Sequence, residues 1–105
     1  RYVKQRPSLP EVMQSPPPII PPRTPDATID LRGERLPVAI ARTEKFVDDA
    51  LRESRPAVFI LHGHGTGVLR GALREHFAAF PGVRKLYPAE PGDGGDGVTV
   101  LELDT

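Results

Sequence analysis

The chain has 105 residues with 14 Lys plus Arg against 14 Asp plus Glu, so its formal net charge is zero. That balance excludes a uniformly basic surface as the means of holding a polyanion, and any nucleic-acid contact has to be local. The absence of cysteine excludes a disulfide framework and a thiolate metal site, and fits a cytoplasmic protein. No apolar run approaches the ~18 residues of a membrane span and no signal-peptide pattern is present, so no membrane partner is expected.

Eight of the 13 prolines fall in the first 25 residues. Residues 1–26 hold few large apolar side chains and no sustained period, which predicts a partly extended, flexible Pro-rich linker. The alternative for the PPPIIPP run is docking in an aromatic-lined groove of a partner. A tether of this kind implies a larger protein upstream, with the folded domain spanning 27–105. From residue 27 onward ten Lys plus Arg face 12 Asp plus Glu, a net of −2.

Within the domain, Thr28 to Arg32 alternates polar and apolar. It predicts a short strand with Ile29 and Leu31 inward and Asp30 and Arg32 together on the other face. Leu36, Ala39, Ile40, Thr43, Val47, Ala50 and Leu51 recur at helical spacing, with Pro37 in the first turn, giving a helix over about 36–53. Ala57 to Leu61 is a continuous apolar run, a strand buried on both faces. A second helix starts at Val68 with Thr66 as its N-cap. It carries Leu69, Ala72, Leu73, His76, Phe77 and Phe80 on one face and stops at Pro81-Gly82. Val83–Ala89 and Gly97–Leu103 read as two more strands. The glycine-rich segment 90–96 between them reads as a mobile hairpin loop packing beside the His turn. The order β-α-β-α-β-β predicts a two-layer α/β (α+β) sandwich: a four-stranded mixed sheet, both helices on one face, the other face less covered.

Between the second strand and second helix stands His62-Gly63-His64-Gly65-Thr66-Gly67. Glycines let backbone N–H groups converge, and the first amides of a helix lie unpartnered at the positive end of its dipole, so this turn suits a phosphate. It lacks the Gly-Lys-Ser/Thr ending of a nucleotide P-loop. His62 ends a buried strand at the sheet's carboxyl edge, where open α/β sheets place ligands. His64 at the apex either touches phosphate or is solvated, and His76 is a core or boundary residue. Asp30 either orients His62 as general base or joins His62 and His64 around a divalent metal such as Mg or Mn. The bland reading of Asp30 and Arg32 is a surface ion pair. Arg70 and Arg74, one helical turn apart, either extend a phosphate track or form a solvated face.

TIDLRG at 28–33, the helix ending in DDAL at 48–51, HGHGTGVLR at 62–70 and GGDGVTVLEL at 94–103 together resemble the Smr (small MutS-related) domain over 27–103. The DLR form is most similar to the Smr domain that ends a type-two MutS protein. The resemblance implies a fold like the C-terminal domain of translation initiation factor three, nucleic-acid binding, and endonuclease activity that nicks DNA or cleaves RNA. It further implies a tethered MutS-like ATPase portion that recognises branched recombination intermediates and sets the oligomeric state.

By matching position, Asp30, Leu31 and Arg32 correspond to the family's DLR/DLH motif, and His62, Gly63 and Gly65 to its HGxG motif. His64 stands where relatives often carry Lys, and Val38 where many carry Glu. The resulting expectation is a nuclease with Asp30, Arg32 and His62 catalytic. Arg32, Gly63, His64, Gly65, Thr66, Gly67, Arg70 and Arg74 then hold DNA or RNA. The rival expectations are a non-catalytic nucleic-acid-binding module and a protein-interaction domain recruited through the polyproline segment.

Overall fold

A computed structural model of the chain describes residues 20–104. The elements are β1 (Thr28–Asp30), α1 (Leu36–Arg52), β2 (Ala57–Leu61), α2 (Val68–Ala78), β3 (Val83–Pro88) and β4 (Val98–Leu103). Single 3-10 turns lie at Pro25–Ala27, Pro91–Asp93 and Gly95–Gly97. The strands form one mixed sheet in the order β1-β2-β4-β3. β1 pairs parallel with β2, and β4 pairs antiparallel with both β2 and β3. The first three strands therefore share a direction, and the last returns between the second and third. Its sequence suits that position: all six residues of VTVLEL are buried, which a strand with neighbours on both edges and cover on both faces requires.

Alternation along the strands separates two apolar layers. Ile29, Leu31, Val58, Ile60, Leu101 and Leu103 face Ala39, Val47 and Ala50 of α1 and Leu73 and Phe77 of α2, making the main core with both helices on this side. On the opposite side Ala57, Phe59, Val98 and Val100 join Ala27 and Ala89, with Ile20, Leu61 and Tyr87 packed against them. No described helix covers this second face; the chain entering β1 does. Ile20, Pro21 and Pro22 lie against Phe59, Tyr87 and Val100. Arg23 Nε donates to the Asp93 carbonyl at 2.9 Å.

The structure differs from the expected pattern at four places. Ile20, Pro21 and Pro22, within the segment expected as linker, pack against the sheet; residues 1–19, with most of the proline run, lie outside the described residues. β1 ends at Asp30, although the Leu31 amide still reaches the Leu61 carbonyl at 2.8 Å. Gly67, with φ +86°, stands at the N-cap of α2 in place of Thr66, whose Oγ1 lies 3.4 Å from the Val68 amide, too long for a strong cap. The glycine-rich loop, which packs beside the His turn as expected, holds two 3-10 turns: the Gly97 carbonyl accepts from His62 and Gly63, and the Asp96 carboxylate meets Arg70 and Arg74 of α2.

Removing residues 1–26 should cost about 1–3 kcal/mol more than removing 1–19, because the longer deletion also strips the cover that Ile20, Pro21 and Pro22 give Phe59 and Val100. Urea denaturation of the two truncated chains measures the difference.

Candidate nucleic-acid interface

The turn after β2 is built by close approach as much as by dihedral freedom. Gly63 has φ +79°, and a Cβ there would stand 3.3 Å from Arg32 Cγ. At Gly67 a Cβ would stand 2.7 Å from Arg70 Nη2. The two glycines therefore let one arginine lie against each flank of the turn. The amides of His62 and Gly63 both donate to the Gly97 carbonyl, at 3.2 and 2.9 Å. This corrects the expectation for Gly63, whose N–H is spent inside the domain. The amides of His64, Gly65, Thr66 and Gly67 meet no acceptor among the described residues, and they lead into the N-terminus of α2. His64 is exposed, and its ring lies across Gly97, where a Cβ would stand 2.9 Å from Nε2.

His62 is 7% exposed and has both ring nitrogens engaged. Nδ1 lies 2.9 Å from the Gly63 carbonyl and Nε2 2.7 Å from Thr99 Oγ1. A carbonyl only accepts, so Nδ1 carries the proton and Nε2 receives the Thr99 hydroxyl. Thr99 Oγ1 in turn accepts from Arg74 Nε at 2.7 Å. Burial holds the imidazole below its ordinary 6.5, with the nearby positive charge of Arg74 and Arg70 adding to it and the Gly63 carbonyl opposing. Sequence reasoning missed Thr99. Its only signal was a hydroxyl in an otherwise apolar central strand.

Asp30 and Arg32 pair as expected, through Arg32 Nε to Asp30 Oδ1 at 3.0 Å and Nη2 to Oδ2 at 2.8 Å. Arg32 holds the Asp30 carboxyl down at about 2. The expected convergence of Asp30 with His62 does not occur. Ile29 and Leu31 point to the helices, so Asp30 points to the other side with Leu61, its register partner. His62 continues the Val58–Ile60 side and meets Thr99 and Arg74 there. Asp30 thus does not orient His62. The metal expectation fails on the same ground: Asp30 and His62 are on opposite faces, and among the described residues no three His, Cys, Asp or Glu side chains are grouped to hold an ion.

Arg70 and Arg74 do share one place, but neither is free. Arg70 Nη1 meets Asp96 Oδ2 and Arg74 Nη1 meets Asp96 Oδ1, each at 3.0 Å. His76 is exposed at the boundary of the helix layer and bonds Glu44 Oε2 at 2.8 Å.

A histidine kept neutral by burial makes stability pH-dependent. Because the folded pKa of His62 is depressed, its contribution is present above about 6.5 and lost as pH falls through the folded value. Urea denaturation between pH 5 and pH 8 should show this slope in the native chain and its loss in His62→Gln.

The comparisons with known proteins place the chain in a family and a fold. The family model described as "Smr domain" matches residues 29–104. Endonuclease MutS2 of Bacillus anthracis and of Bacillus cereus (strain ATCC 10987 / NRS 248) are each 48% identical over 75 residues, covering 71% of this chain. The chain spans about a tenth of the length of these curated relatives, 10% in each case. The crystal structure of the Smr domain of Thermus thermophilus MutS2 superposes with a TM-score of 0.72 at 36% identity, covering 74% of this chain and 98% of that one. YdaL, a stand-alone small MutS-related protein from Escherichia coli, superposes at 0.75 with 21% identity over 79% of this chain and 68% of its own, a likeness of fold. Strand order, helix placement and the DLR and HGHG signatures at one end of the sheet leave one assignment: the chain belongs to the Smr domain family.

Proposed function

We propose that this domain is the nucleic-acid-binding nuclease module of a MutS2-like protein of the bacterial cytoplasm, nicking branched DNA delivered by an upstream ATPase portion. The observation that carries the reading is the row of amides from His64 to Gly67 that meet no acceptor among the described residues, flanked by Arg32 on one side and Arg70 on the other. Amides at a helix N-terminus bind phosphate without an entropic search, because the turn is already set. The curated relatives' name, endonuclease, supports cleavage as the chemistry done there.

The residues divide the work by position. The amide row takes the non-bridging phosphate oxygens. Arg32, aligned by the two bonds it donates to Asp30, neutralises the negative charge developing on the phosphoryl oxygens. Asp30, ionised above about 2, keeps that guanidinium in place. His64, the exposed imidazole on the turn, moves the proton between water and the leaving oxygen. His62 holds the turn's shape through Thr99 and Gly97, which makes it a positioning residue. Near-neutral charge keeps the isolated domain a weak binder, and tethering to a DNA-bound portion raises its local concentration.

The closed state of His62 favours a second reading, binding without cutting, in which the turn only grips. Nicking of supercoiled plasmid and of a synthetic DNA junction separates the two. Cleavage by purified chain should fall about 10²–10³-fold in Arg32→Ala and about 10²-fold in His64→Ala. Junction binding without any nicking by the native chain establishes the second reading, and preference for a matched RNA assigns RNA as the substrate.

A further inference from the structure

The Asp96 carboxylate occupies the two-arginine clamp of α2. One oxygen faces Arg70 and the other Arg74, each at 3.0 Å, and Arg74 Nη2 also approaches the Asp96 carbonyl at 3.5 Å. The clamp adjoins the turn directly: the Arg70 guanidinium lies over Gly67, and His64 lies over Gly97, the residue after Asp96. We propose that Arg70 and Arg74 form a second phosphate subsite beside the amide row, that Asp96 fills it as an internal surrogate anion, and that a nucleic-acid backbone binds by displacing that side chain. This rests on the nucleic-acid reading above and adds to it a subsite and the residue that gates it.

Three features make displacement feasible. Asp96 is half exposed at 50%, so its carboxylate can rotate into water. The Gly97 carbonyl, not the Asp96 side chain, fixes the His62 and Gly63 amides, so the turn survives when the carboxylate leaves. Arg74 keeps its Nε bond to Thr99, which holds the guanidinium in position while its outer edge is open to a phosphate. The exchange conserves charge, one carboxylate for one phosphodiester. At this clamp the free domain therefore offers no open basic site to stray anions, and a ligand that also fills the amide row gains by the swap. Arg74 holds the Asp96 carboxyl below its ordinary value, in keeping with an anion seated on cations.

The test measures binding of a fluorescent synthetic DNA junction to the whole chain over a range of salt. It compares Asp96→Asn with Asp93→Asn, a charge-matched control three residues away whose carboxylate makes no ion pair among the described residues. Asp96→Asn should bind about 5–20-fold tighter, with a log–log salt slope steeper by about one, and Asp93→Asn should stay within about twofold of native. In the native chain the Asp96 carboxyl carbon resonance should move as junction is added. Adding Arg70→Ala to Asp96→Asn should abolish the gain.

Equal gains in both Asn variants, or an Asp96→Asn chain that binds no tighter while native binding still depends on Arg32, overturn the surrogate and leave the nucleic-acid reading intact. Failure of every chain to bind DNA or a matched RNA removes both. If Asp96→Asn lowers the melting temperature, the carboxyl resonance of the native chain decides: a signal unmoved at saturating junction overturns the proposal.

Discussion

One carbonyl oxygen, that of Gly97, holds the amides of both His62 and Gly63, and the rest of the site is arranged around it. It fastens the end of β2 to the start of β4, one residue before the strands begin their regular pairing at Leu61 and Val98. Beside it the Thr99 hydroxyl links the His62 ring to Arg74 of α2. Three elements are thereby locked at the corner where the turn emerges, and the amides past that lock, from His64 to Gly67, meet no acceptor among the described residues. A neutral histidine with a fixed tautomer suits this duty better than a charged one, since a second ring proton would face the Thr99 hydroxyl and the Arg74 guanidinium beyond it.

The elements were legible because each carries its own period. The helix faces at Ala39, Thr43, Val47 and Ala50 and at Leu73 and Phe77 are buried as the spacing predicts, and Asp30 and Arg32 pair as the alternation predicts. The resemblance to the Smr family added the motifs to that frame. Local spacing does not encode which strand lies next to which, nor on which face a side chain just past a strand's end will fall. Asp30 and His62 stand at similar places in their strands, yet one extra step of alternation puts them on opposite sides of the sheet. The spacing places Asp96 in a hairpin loop beside the His turn but does not name its partners, which are on α2 and more than twenty residues away in sequence.

The two faces of the sheet thus divide the chemistry. The helix side carries the buried network of His62, Thr99 and Arg74. The other side carries the Asp30–Arg32 pair and the apolar layer covered by Ile20 to Pro22. Arg32 reaches the glycine turn at the sheet's end, where a Cβ on Gly63 would stand 3.3 Å from its Cγ.

The insertion of β4 between β2 and β3 also bears on how such a chain acquires its shape. Every element before it can emerge from a ribosome without a completed sheet, because β2 and β3 have no bonds to each other and share only the strand made after both. Assembly is therefore all-or-none, dominated by pairings distant in sequence and slow relative to helix formation. Until that strand arrives, β2 and β3 have no partner between them, and the apolar layer that Val98 and Val100 complete stays open.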